Sequence, residues 1–286
     1  MHQFDVIISV GVKDVFIVRK VVKYVAKNIS PSNIYLITNR RFFKFYSSSF
    51  ISSYHVTLLD ESRLVEGMNI QHVCQLVNQH FVNGMRGGWY FQQFLKMAFA
   101  LSPYAESHYL IWDADTIPTS PISFFDEDGK MLIAQKEEYN PPYFETMNRL
   151  IGMGKSAEFS FIAEHMMIKT IYMRELLNKI SESAVNGTVW YEKIINATNS
   201  TTGLAFSEFE TYGTYVWNTH PADFSFRQLH TMRKAGFLFG RAMTTREIDY
   251  FDGVTDTISL EAGHIPAFPR NIYQYCQLAF LRLLKP

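Results

Sequence analysis

Cysteine is nearly absent from this chain. Two residues, Cys74 and Cys276, among 286 cannot build a disulfide framework, and neither has metal-finger spacing, so both are expected to be reduced and buried. An excess of one charge is also missing: 27 Lys and Arg balance 27 Asp and Glu, and with no basic cluster nucleic acid is not an expected partner. No apolar run reaches the roughly 18 residues of a membrane span, and residues 1–15 lack a basic leader with an apolar core and a small-residue cleavage site. These absences point to a cytoplasmic setting, in which the sequons at Asn28, Asn186, Asn196 and Asn199 are chance. The turn after the first apolar run reads Val10-Gly11-Val12-Lys13. It is neither a Walker-type loop nor Gly-x-Gly-x-x-Gly, which disfavours kinase-like and dinucleotide-binding proteins. No Gly-x-Ser-x-Gly elbow occurs, which disfavours an α/β-hydrolase.

The composition present is that of a core-forming protein. With 47% hydrophobic and 19% charged residues the chain is not a disordered tail, a collagen-like repeat or a coiled coil. Short apolar runs alternate with helical patterns through the first half, as in βαβ units with a mostly parallel sheet. Strands are expected at 4–10, 33–38, 55–59 and 109–112, with helices at 15–27 and 89–101. Gly11, Asp60 and Asp113 then fall at the carboxyl ends of strands, where open α/β sheets bind ligands. Beyond about residue 135 the pattern loosens, giving a division into residues 1–135 and a more irregular half, 136–286, of the same compact domain. The apolar, amphipathic stretch Tyr275–Leu284 is expected to dock on the core, with peripheral contact to a membrane surface as the other reading.

The residues richest in chemistry are Trp112-Asp113-Ala114-Asp115-Thr116, directly after a buried strand. If the backbone stays extended, Asp113 and Asp115 point the same way with only Ala114 between them. Two such carboxylates repel unless a cation lies between them, and a hard divalent ion, Mn²⁺ or Mg²⁺, would keep open positions for diphosphate oxygens. A turn closed by two aspartates is the plain structural reading, and Asp126-Glu127-Asp128-Gly129 is read that way.

A strand, Asp-x-Asp, then Pro118, Pro121 and Phe124-Phe125 resembles the nucleotide-sugar site of GT-A type glycosyltransferases, most clearly over residues 4–135. The chain is also similar to a group of polysaccharide-building transferases with a Gly-Trp-Tyr-x-Gln-Gln-x-x-Lys helix, here Gly88 to Lys96. Those proteins carry a Glu-His-Met element, here Glu164-His165-Met166, and a Ser-Glu-x-Glu-x-Tyr-Gly element, here Ser207 to Gly213. The resemblance implies a GT-A, Rossmann-like α/β fold: a mostly parallel sheet flanked by helices, with an irregular acceptor half. It implies a metal-dependent hexosyl- or pentosyltransferase acting on a nucleoside-diphosphate sugar and a glycan or glycolipid acceptor.

On that resemblance Asp113 lies near the ribose and the metal, Asp115 ligates the metal, and Asp60 contacts base or ribose unless it is only a helix N-cap. Trp89, Gln92 and Lys96 share one helix stripe, which is taken as the site-facing side, with Lys96 able to reach the diphosphate. An inverting enzyme needs a base for the acceptor hydroxyl. Glu208 and Glu210 are the candidates, Glu210 having the competing role of completing a capping box with Ser207. His264 is ranked first as a third metal ligand, ahead of His220 and His230, and His165 and Tyr212 are placed on the acceptor side. The rival readings are a sugar nucleotidyltransferase, which usually needs a basic Gly-rich loop that this chain lacks, and a non-catalytic carbohydrate- or nucleotide-binding module.

Overall fold

The computed structural model describes residues 3–82, 86–201 and 203–283. The first half of the chain runs β1 (Asp5–Ser9), α1 (Val18–Asn28), β2 (Ile34–Thr38), α2 (Ser48–Ser53), β3 (Val56–Asp60), α3 (Ile70–His80), α4 (Gly87–Ala98), β4 (His108–Trp112), β5 (Thr116–Pro118) and β6 (Met131–Ala134). The second half adds α5 (Pro141–Ile151), β7 (His165–Lys169), α6 (Thr170–Glu182), α7 (Trp190–Ala197), α8 (Glu208–Thr219), β8 (Phe224–Arg227) and β9 (Thr231–Met232). It closes with α9 (Ala235–Phe239), α10 (Thr245–Asp249), β10 (Thr257–Ser259) and α11 (Arg270–Leu283).

The main sheet has the order β3-β2-β1-β4-β7. Its first four strands are parallel, and β7 joins β4 antiparallel, pairing Trp112 with His165. β1 and β2 are buried at every position, as strands covered on both faces must be, and their Val/Ile/Leu content reflects this. α1 packs on the sheet through Val18, Val21, Val22 and Val25, the i, i+3, i+4, i+7 stripe of an amphipathic helix. Two small sheets, β5-β10-β9 and β6-β8, carry the second half back over the first. The fold is thus α/β, with a mostly parallel central sheet flanked by helices.

Each strand and helix expected in the first half is present, with ends moved by one to three residues. α11 starts earlier than expected, at Arg270, and buries only Gln274 and Leu281. The cysteines depart from expectation: both are free, but Cys74 is half-buried and Cys276, on the outer side of α11, is exposed. Asn28, at the first sequon, is buried and donates its side-chain amide to Pro118 O at 2.8 Å. Asp126 to Gly129 is a turn: Asp126 accepts from the backbone N–H of Asp128 and Lys130, and Gly129 has φ of 80°. Among the described residues no helix is long and apolar enough to cross a membrane.

Candidate active site

The sheet changes winding direction between β1 and β4, because β2 and β3 lie on one side of β1 and β4 on the other. Ligands of open α/β sheets sit outside the carboxyl ends of the strands at such a point. Gly11 and Asp14 follow β1 there, and Asp113 and Asp115 follow β4.

The backbone at Asp113–Asp115 is not extended, contrary to the sequence expectation. β4 ends at Trp112, and a turn follows in which Thr116 N–H bonds Asp113 O at 3.3 Å. The turn is tied down from two sides: Asp113 N–H donates to Glu164 O at 3.0 Å, and Asp115 O accepts from Leu260 N at 2.8 Å. The carboxylates still feel each other. Loss of water around Asp115, then the charges of Asp14 and Asp113, push its carboxyl up to about 8, against a weaker downward pull from Arg241.

Two buried cations organise the cluster. Lys96 Nζ donates to Asp113 Oδ1 and to Glu208 Oε1, both at 2.7 Å, and lies 4.5 Å from the centre of the Phe209 ring. The two carboxylates hold this ammonium above its ordinary pKa despite its burial. Arg241, 2% exposed, donates to Asp14 Oδ1 at 2.6 Å, to Lys13 O at 2.5 Å and to Leu260 O at 2.8 Å, and its Nη2 stands 3.8 Å from Asp115 Oδ2. Four carboxylates (Asp14, Asp113, Asp115 and Glu208) therefore share two internal cations. Fully ionised, the cluster has two more carboxylates than cations; with its raised carboxyl Asp115 holds a proton at neutral pH and reduces that excess to one, and half-exposed Glu261 adds to the field on Asp115.

α4 presents Trp89, Gln92 and Lys96 as its partly exposed stripe, while Tyr90, Phe91, Gln93, Phe94 and Leu95 are buried. A β-carbon on Gly11 would stand 2.7 Å from Gln92 Nε2, so the missing side chain lets α4 close on the turn after β1. Gln93 faces inward and accepts Glu208 N–H at 3.0 Å, which fixes the start of α8. The structure thus brings Gly11, Gln92, Lys96, Asp113, Asp115 and Glu208 into one region.

Other sequence candidates sit elsewhere or act differently. Asp60 N-caps the turn after β3 through Ser62 N–H at 3.0 Å and lines a separate cavity of about 320 Å³ with Arg40 and Arg63. Glu210 does not complete a capping box. Ser207 Oγ accepts Glu210 N–H, but the Glu210 carboxylate, 1% exposed, turns inward to Ser160 Oγ at 2.6 Å and Phe161 N at 3.3 Å. His165, expected on the acceptor side, is in the core, stacked on Trp112 at 5.0 Å, and neither ring nitrogen has a hydrogen-bond partner. Tyr212 is fully buried and accepts Lys169 N–H at 2.9 Å. Both residues are therefore inaccessible to an acceptor. His264 lies in the loop after β10, 3.7 Å from Glu261, with its ring against Phe237. Among the described residues no three His, Cys, Asp or Glu side chains are close enough together to hold a metal ion on their own.

Asp14, Arg241 and Glu164 were not found by sequence reasoning. Glu164 is 4% exposed and ion-paired with Arg233 Nε at 2.9 Å and Lys136 Nζ at 3.6 Å. Strand alternation supplied a signal for it: once His165 faces the core, the residue before it faces the other way.

Over residues 16–252 the sequence matches the family described as "Family of unknown function (DUF6492)". The chain belongs to that family. No curated protein matches it by sequence. Solved structures to which it is similar include the galactosyltransferase LgtC in complex with donor and acceptor sugar analogues, at 10% identity and TM-score 0.44, covering 98% of this chain and 95% of that one. Mouse xyloside xylosyltransferase 1 in its apo form is similar at 11% identity and TM-score 0.47, over 91% of this chain and 98% of that one. The bifunctional glycosyltransferase WbbM is similar at 11% identity and TM-score 0.42, over 96% of this chain and 51% of that longer chain.

Proposed function

We propose that this chain is a GT-A type glycosyltransferase that moves a sugar from a nucleoside-diphosphate sugar to a glycan or glycolipid acceptor, using Mn²⁺ or Mg²⁺. The observation that carries this reading is the charge balance at the switch point. The excess of carboxylates over cations there would repel a diphosphate, whereas a divalent cation would displace the Asp115 proton, offset the excess and leave coordination positions for phosphate oxygens. The raised carboxyl of Asp115 reflects its burial first and the charges of Asp14 and Asp113 second. Asp113 and Asp115 would hold the ion, with water and the diphosphate supplying its remaining ligands; His264, turned against Phe237 and Glu261, is not grouped with them. When bound, it neutralises charge on the departing diphosphate.

The chain's own residues supply the rest. Gly11 and Gln92 form the floor between β1 and α4 on which the nucleotide would lie, and Trp89 offers a ring face for the donor. Asp60, in its separate cavity and capping the turn after β3, would meet only the far end of the nucleotide, its base or ribose. Lys96 is placed by the site as a tie between Asp113 and Glu208 rather than as a free phosphate ligand. Glu208 is the candidate base if transfer inverts the anomeric centre, taking the acceptor hydroxyl proton as the sugar moves. Glu210 holds the acceptor-side loop through Ser160 and Phe161.

A thermal-shift screen of UDP, GDP, CMP and their sugars, with and without Mn²⁺, tests this reading. One nucleotide should stabilise the protein by about 2.7 kcal/mol at a hundred times its Kd, only with metal, and not in Asp115→Asn. Melting unmoved by the whole panel would overturn it.

A further inference from the structure

α1 and α2 together contain four Lys and Arg and no acidic residue. Between them lies a groove of about 470 Å³ whose walls include Phe16, Arg19, Lys23, Ser49 and Ser53. Two of the four cations are spent inside the fold: Lys20 donates to Arg241 O and Met243 O, and Lys27 pairs with Asp249. The other two, Arg19 and Lys23, lie beside the rings of Phe50 and Tyr24 and have no ion pair among the described residues. The groove is an electropositive slot rimmed by hydroxyls.

Its mouth adjoins α11, because Phe16 packs against Phe280 with ring centres 6.1 Å apart. α11 also carries no acidic residue, has Arg282 near its end, and buries only two side chains; Arg270 at its start is spent on Glu247 and the Phe239 carbonyl. Ile272, Tyr273, Tyr275, Phe280 and Leu283 are between 46% and 82% exposed, and Phe268 just before the helix is 76% exposed. An amphipathic helix with aromatic and aliphatic side chains outward and an arginine near its end, beside the cations of α1, has the make-up of a helix lying in a bilayer interface. Tyrosines suit that boundary because the ring is apolar and the hydroxyl wet. A second copy of this chain fits the face poorly, since a twofold contact would set Arg19, Lys23 and Arg282 against their own counterparts.

We propose that this face docks on an anionic phospholipid surface. The outward side chains of α11 enter the boundary between headgroups and acyl chains, Arg19 and Lys23 take a lipid phosphate, and Ser49 and Ser53 donate to its oxygens. The proposal is independent of the glycosyl-transfer reading, and each can fail without the other. If both hold, the docked face would keep the enzyme on the surface where a glycolipid acceptor resides.

Co-sedimentation of the full chain with vesicles of 3:1 phosphatidylcholine and phosphatidylglycerol, against pure phosphatidylcholine, provides the test. Two unpaired cations near an anionic surface should favour the mixed vesicles by about 10-fold or more at 0.1 M salt, with the preference shrinking several-fold at 0.5 M. Arg19→Glu/Lys23→Glu should remove the preference, and Ile272→Ser/Tyr273→Ser should weaken binding to both vesicle types. Light scattering should report a monomer. If a variant melts early, the salt titration of the unmodified chain decides. Equal partition to both vesicle types, salt-independent binding, or a dimer disrupted by the Arg19/Lys23 change would overturn the proposal.

Discussion

Lys96→Met isolates the ammonium that joins the two halves of the site. Its Nζ lies 2.7 Å from Asp113 and 2.7 Å from Glu208, whose side chains are 32% and 6% exposed. Removing one partner of a buried ion pair costs roughly 3–5 kcal/mol because the other charge is stranded. The Glu208 end carries nearly that full cost, while the Asp113 end is discounted because water reaches a third of it. The contact of the ammonium with Phe209 is also lost. A net loss of about 3–4 kcal/mol follows. At about 2.1 cal/mol/K per residue, unfolding of 286 residues carries an entropy of about 0.6 kcal/mol/K, so the melting temperature should fall by about 5–7 °C. Differential scanning calorimetry measures it directly. Adding Glu208→Gln should return about half the loss, since the stranded carboxylate is its main source. A Lys96→Met protein that melts with the unmodified chain, or a double variant that loses the full cost of both changes, would refute the reasoning.

Two further predictions separate chemistry from architecture. Glu208→Gln should preserve metal-dependent nucleotide binding yet abolish transfer if the enzyme inverts, whereas Glu210→Gln should retain transfer and cost about 1–2 kcal/mol of stability through its weakened bonds to Ser160 and Phe161; donor turnover and melting curves read the two. Burial, then the charges of Arg227 and Lys136, hold His165 well below its ordinary value of 6.5, so it stays neutral when folded. Its contribution is complete above about pH 6.5 and declines as the pH falls toward the folded pKa, by up to about 1.4 kcal/mol per pH unit. His165→Phe, which keeps the stack on Trp112, should therefore gain up to about 1.6 kcal/mol relative to the unmodified chain between pH 6.5 and 5.0. An unchanged difference between the two melting curves over that range would exclude the titration.

The parts of this fold that follow local rules were legible in the sequence. β1 to β4 stand out because central parallel strands are apolar on both faces, and the stripe Trp89-Gln92-Lys96 because helix period alone sets it apart from Phe91, Phe94 and Leu95. Asp113 and Asp115 were found for their place after a buried strand, although the turn that orients them depends on bonds from Glu164 and Leu260, far along the chain. Arg241 and Asp14 were invisible for the same reason. A lone arginine between loops carries no periodic signal, and its importance comes from partners more than 200 residues away. His165 is placed on the acceptor side only through the Glu-His-Met resemblance, while the register of β7 against β4 turns it onto Trp112.

The guanidinium of Arg241 fastens the turn after β1 to the Asp115 turn and to the strand end at Leu260. Asp14 and Asp115 are therefore synthesised well before the counter-ion they share. Until Arg241 is made, nothing offsets the repulsion between those two carboxylates.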